Sequence, residues 1–212
     1  MRKLTRNSMI AGAAAVAALG LTAIPASAAT WTVTGGTSIT GTNSTTLVAK
    51  DVTTGAAISC TKSSASGTAK NGTGLSGTGI ASLTAVSFSS PANPGGWCSG
   101  PAGITVQVTP GTLPWSFNAV TPTSTGATGT LTGVTATIVG SDGCHASVTG
   151  PGGGTGTING SYNNSGSLSV SGGNLTVKTV DANCDPTLIN PGDSIALQGS
   201  YTISPVLHIT SP

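Results

Sequence analysis

Gly103–Val120 reads GITVQVTPGTLPWSFNAV, and the alternation inside it decides the fold class. Ile104, Val106 and Val108 alternate with Thr105, Gln107 and Thr109. After Pro110-Gly111, the residues Leu113, Trp115 and Phe117 alternate with Pro114, Ser116 and Asn118. A period of two puts every second side chain on one face of an extended strand. With Thr109–Thr112 as a four-residue loop, the stretch predicts a hairpin in which Val108 faces Leu113, Val106 faces Trp115 and Ile104 faces Phe117, giving one wholly apolar face.

The same period returns along the rest of the chain. WTVT and TTLVAKDV flank a Gly35-Gly36 turn signal within Thr30–Val52, and further strands are expected over 56–60, 80–88, 129–139, 144–148 and 194–204. The last of these places Ile195, Leu197, Tyr201 and Ile203 inward. Thr61–Gly79, rich in Ser, Gly, Thr and Ala, reads as loop or weakly specified edge strand. A three-residue loop at Asn164-Ser165-Gly166 sets Tyr162 opposite Leu168 and Gly160 opposite Val170. A two-residue turn at Gly172-Gly173 then sets Val170 opposite Leu175 and Leu168 opposite Val177. Roughly ten to twelve short strands joined by Gly- and Pro-rich turns predict an all-β fold. The arrangement expected is an antiparallel two-layer β-sandwich of jelly-roll or Ig-like kind, with a closed β-barrel as the alternative. GPAG after Cys98 and GPGG after Cys144 echo each other, too faintly for the fixed repeat of a solenoid.

The two ends of the chain bear on compartment. Arg2, Lys3 and Arg6 precede an apolar run from Met9 to Ile24, and Ala26-Ser27-Ala28 supplies the small residues of a cleavage site. Residues 1–28 are therefore expected to be a secretory signal peptide and 29–212 a single secreted β-domain, long enough for one sizeable core. Removing the signal changes the charge balance from the +2 of the whole sequence to four lysines against five aspartates, a formal −1, with no arginine and no glutamate. That leaves nothing to neutralise a phosphate backbone or an anionic membrane, so nucleic acid is excluded as a partner and a membrane anchor is not expected.

Cys60, Cys98, Cys144 and Cys184 all follow the expected cleavage site, and an even set in an exported chain is a disulfide framework. Of three pairings, Cys60 with Cys98 and Cys144 with Cys184 is favoured, because sequential pairing keeps each bridge within neighbouring strands. Each loop of roughly 40 residues would contribute about 4 kcal/mol in the chain-entropy model. Zinc is disfavoured by the lack of C-x-x-C spacing.

Candidate chemistry is sparse. Asp181, Asn183 and Asp185 present oxygen side chains at alternate positions, as calcium loops do, and form the one candidate metal site, with Asp193 further along the chain. The competing reading is a set of Asx turns around a bridged cysteine. His145 and His208 are the only histidines, so a secreted hydrolase would use His145 with aspartates; no G-x-S-x-G elbow is present. Trp31 and Trp97 are candidate ligand-binding rings, since aromatics on a neutral hydroxyl-rich sheet suit polysaccharide, whereas Trp115 reads as core. The function expected is therefore a non-enzymatic extracellular domain that binds neutral glycan or serves the cell envelope or matrix. The alternatives are the hydrolase and a protein-interaction or inhibitor module presenting the 91–97 loop.

The run GTGIASLTAVSF, a following cysteine, GPAGITVQVTPGTLPWSFNAV and the later pair of cysteines resemble a group of small exported proteins from high-GC Gram-positive bacteria. The likeness covers most of the chain after residue 28, but its motifs are structural. It implies export, a β-rich fold and the Cys60–Cys98 pairing, and it brings no catalytic residues. The loop before Cys98, with Pro91, Pro94 and Trp97, is longer here than in that group.

Overall fold

The computed structural model describes Thr30–Pro212; the expected signal peptide, 1–28, lies outside the described residues. The described residues form strands β1 (Thr30–Thr34), β2 (Ser38–Asn43), β3 (Leu47–Asp51), β4 (Ala57–Cys60), β5 (Lys62–Ala69), β6 (Gly72–Ser76), β7 (Ala81–Ser89), β8 (Cys98–Ser99) and β9 (Thr105–Pro110). They continue with β10 (Trp115–Thr123), β11 (Gly126–Val134), β12 (Ala136–Gly140), β13 (His145–Thr149), β14 (Gly156–Asn163), β15 (Ser167–Val180), β16 (Ser194–Ser204) and β17 (His208–Thr210). The fold is all-β and every pairing is antiparallel, and the main sheet closes on itself, the alternative to a two-layer sandwich.

The closed sheet resolves into eight lanes. β2 and β3 lie in one lane, followed by β4 with β5, β7 with β8, β9 with β10, β11 with β12 and β13 with β14, while β15 and β16 each span a lane alone. Each lane pairs with the next in chain order, and β16 returns to pair with β2 and β3. The result is an up-and-down barrel, which leaves no free edge in its wall.

The lanes are broken or bulged at mid-height. Inward-facing residues change parity there: Ile58 and Cys60 give way to Ser63 and Ala65, Val106 and Val108 to Trp115 and Phe117, and Val170 to Leu175. Such bulges bend and twist long strands, as closing a barrel requires.

Two expected turns are corrected by this waist. The Thr109–Thr112 hairpin does not form: β9 pairs with β8 and β12, β10 pairs with β7 and β11, and Thr109–Pro114 is a bend within one lane. Gly111 N–H donates to Thr135 O at 2.7 Å across that bend. A hairpin and a kinked lane share the same local alternation, and only long-range partners separate them. Gly172-Gly173 is likewise no turn but a bulge within continuous β15. The neighbouring expectation holds, with Tyr162 opposite Leu168 and Gly160 opposite Val170. Within Thr61–Gly79, β5 is a full member of the wall between β2 and β7 despite its Ser- and Gly-rich sequence, whereas β6 is an edge strand, as the alternative reading expected.

One barrel end is capped by the three-stranded sheet β17-β1-β6. β1 alternates so that Trp31 and Val33 point into the barrel, 1 % and 0 % exposed, against Ile80, Phe117, Tyr162, Leu207 and Ile209. The Tyr162 hydroxyl donates to Leu207 O at 2.8 Å and accepts from Leu207 N–H at 2.9 Å, fastening β17 to the wall. Burial raises the Tyr162 pKa, opposed in part by the Leu207 hydrogen bond. Among the described residues the exposed large hydrophobics are Val52, Val120 and Val206.

Candidate functional site

The end opposite the cap is open and is built by the turns after β3, before β9, between β12 and β13, and between β15 and β16. Inward rows lead to it. On β3 the row is Leu47, Ala49, Asp51, and on the β16 lane it is Leu197, Ile195, Asp193, so each apolar row ends in an aspartate at the mouth. All five acidic residues of the chain, Asp51, Asp142, Asp181, Asp185 and Asp193, belong to this end. Its two lysines, Lys50 and Lys178, are exposed on the outer face.

Inside, the barrel is not filled. A cavity of about 90 Å³ opens at the mouth, a second of about 80 Å³ sits at the waist and a third of about 70 Å³ lies below the cap. The first two share Ala49, Ile58, Ile138 and Ile195 as walls, and the second and third share Phe88, Trp115, Ile158 and Leu197. The voids thus run in series along the axis. Ile58, Ile138, Ile195 and Leu197 line them yet are only half-buried, which is the mark of an inner wall with space beside it. Protein interiors normally pack to crystal density with few voids larger than a water, and an eight-stranded barrel is the size at which side chains either fill the bore or leave room for one small ligand.

Among the described residues, two buried side-chain polar atoms in this interior lack a hydrogen-bond partner: Trp115 Nε1, on the wall between the two inner voids, and Asp51 Oδ2 at the mouth. Both residues are buried, at 3 % and 4 % exposure. The other oxygen of Asp51 accepts from Thr53 N–H at 2.8 Å and Thr54 N–H at 3.0 Å, which fixes the side chain with Oδ2 left over. A buried polar atom without a partner costs on the order of 1–3 kcal/mol, so two on one cavity system call for an explanation. Asp193, 7 % exposed, accepts from Asn190 N–H at 2.7 Å. Burial would push its carboxyl up, but hydrogen bonds from the Asn190 backbone, the Asn190 amide and Thr53 hold it below the ordinary value, with the Asp51 carboxyl within hydrogen-bonding reach. On the rim, the backbone N–H and hydroxyl of Thr187, at 2.8 and 2.7 Å, hold Asp185 low. Below the waist, Tyr201 shares a hydrogen bond of 2.8 Å with Ser63, and burial raises its pKa.

The residues singled out from sequence fall in different places. Both expected disulfides are present: Cys60–Cys98 ties β4 to β8 in the wall, and Cys144–Cys184 ties the 181–193 loop to the start of β13. Asp181 and Asp185 each accept from the backbone N–H two residues on, at 3.0 and 2.8 Å, the Asx-turn arrangement, and Asn183 reaches Gly143 O at 3.2 Å. Asp181 lies near Cys144 and Cys184, but those sulfurs are bonded to each other and are not thiolate ligands. His145 is exposed on β13, whose pleat turns Ala146 and Val148 inward and the imidazole outward, away from the mouth carboxyls. Trp97 is half-buried in a loop closed by Asn93, whose amide donates to Trp97 O at 2.8 Å and Ser99 Oγ at 2.9 Å. Trp31 is core, so its face is not offered to a surface ligand. Among the described residues no Phe, Trp or Tyr side chain is exposed.

The chain matches no family model, no curated protein and no solved structure. The functional reading therefore rests on the site. Asp51 and the Trp115 indole are what sequence reasoning passed over. For Asp51 a signal existed: in Leu47–Asp51 the alternation puts a carboxylate where the third apolar residue belongs.

Proposed function

We propose that this chain is an exported, non-enzymatic barrel that binds a small apolar molecule in its bore, admitted at the disulfide-bearing end. The observation that carries the reading is the series of apolar voids sharing walls from the mouth to beneath the cap, with the Trp115 indole N–H unpartnered beside them. Apolar cavities of this order stay dry and take up apolar guests, and a guest carrying one acceptor, such as a carbonyl, would satisfy the indole. Voids in series suit an elongated guest. The two disulfides support export, since such bonds persist in oxidising compartments.

The test uses the neutral dye N-phenyl-1-naphthylamine, which brightens in apolar surroundings. Saturable one-to-one binding is expected, with quenching of tryptophan emission. Ala49→Phe, which plugs the passage between the first two voids, is expected to weaken binding roughly tenfold or more while the protein stays folded. Absence of saturable binding, or equal binding by the plugged variant, would refute the reading.

A further inference from the structure

The mouth is not neutral toward the head of such a guest. Asp51, Asp142 and Asp185 line it, and among the described residues no basic side chain does. Asp51 is the decisive member. It is 4 % exposed and held by Thr53 and Thr54 through one oxygen; its other oxygen receives no hydrogen bond from an N–H or hydroxyl, and its side-chain neighbour is the Asp193 carboxyl. A carboxylate oxygen accepts and does not donate, so the missing group is a donor. The surrounding charge has the same sign: the buried Asp193 carboxyl lies within hydrogen-bonding reach of Asp51, and Lys50 and Lys178 stand on the outer face. An anionic head would add a further negative charge to this cluster, and an alcohol would satisfy the acceptor without offsetting its charge. A cationic donor does both, through a charge-assisted hydrogen bond.

We propose that the mouth selects a single-chain amphiphile with an ammonium head, whose nitrogen donates to Asp51 Oδ2 while its alkyl chain follows the voids toward Trp115. This rests on the bore being the binding site. Neither neutral sugars nor fatty acids meet both halves of that description, because the voids are apolar and the rim is acidic.

Displacement of bound N-phenyl-1-naphthylamine by decylammonium, decanol and decanoate, all below micellar concentration at neutral pH, tests it. Decylammonium is expected to displace the dye at concentrations about tenfold lower than decanol, with decanoate weakest. In Asp51→Asn the ratio of decylammonium to decanol affinity is expected to fall toward one. Equal or better displacement by decanol or decanoate in the wild-type protein overturns the head preference while leaving the bore reading intact, and a ratio unchanged in Asp51→Asn overturns the assignment to that residue. Failure of the dye itself to bind overturns both readings. Should Asp51→Asn not fold, the wild-type ratio alone decides.

Discussion

Asp193 is buried with no basic partner among the described residues, and the way it is held ties stability to pH. Its carboxyl is kept below the ordinary carboxylate value by hydrogen bonds from Asn190 and Thr53 acting against desolvation. A depressed folded-state value means the folded protein favours the charged form more than the unfolded chain does. The stabilisation is thus present above the unfolded value of about 3.9 and is lost as pH falls through the lower folded one. Melting temperature measured from pH 6 down to 2 is expected to hold and then drop below about pH 4. Asp193→Asn should start lower and show a shallower acid limb; a limb as steep as in the wild-type protein would place the acid sensitivity elsewhere. At this scale the sequence was legible in part. The alternation of Leu47–Asp51 put Asp51 inward, and the Asx turns at Asp181 and Asp185 followed from local chemistry, whereas the lone Trp115 N–H depends on how neighbouring lanes pack around the indole, which no local pattern carries.

Among the elements, β15 best shows what periodicity conveys and what it hides. Its pairing with β14 was readable because Asn164-Ser165-Gly166 is a real loop with one consistent register. Gly172-Gly173 offered the same kind of signal and is a bulge. Glycine pairs mark any place where φ becomes positive, and a turn and a bulge both need that. The two glycines do different work within the bulge. Gly173, at φ 122, faces Thr157 O and Ile158 Cα closely enough that a Cβ has no room, whereas Gly172, at φ 61, lies in the left-handed region that asparagine tolerates, with only Asn159 Nδ2 at 3.6 Å. Gly173→Val is therefore expected to destabilise by about 2 kcal/mol or more in urea unfolding, and Gly172→Asn by less than about 1 kcal/mol. Equal costs would mean that the waist yields freely and that its bulges do not set the register of the upper and lower halves.

For the whole molecule, the disulfides separate two roles that chain length alone would merge. They span 38 and 40 residues, so the loop-closure model gives each about 4 kcal/mol and predicts no difference between them. The native state does distinguish them. Cys98 and Cys60, at 0 % and 4 % exposure, point into the bore and pack with Trp115, Leu47 and Val134, so removing their sulfurs also opens space in a core that is already underfilled. Cys184 sits in the 181–193 loop, only half-buried, and its bridge holds that loop against the mouth. Cys60→Ala with Cys98→Ala should therefore cost about 1–3 kcal/mol more than Cys144→Ala with Cys184→Ala in urea unfolding. The second pair should instead speed amide exchange over 181–193 while β15 and β16 stay protected. The same order is expected of guest binding. A barrel closed by next-neighbour pairing and sealed at one end by β17-β1-β6 keeps its bore when the mouth loop is released, so the mouth variant should retain the dye but exchange it faster. If the two double variants were equally destabilised, the wall bridge would be acting only on the unfolded chain, and the bore would have to owe its shape to the bulged waist and the cap instead.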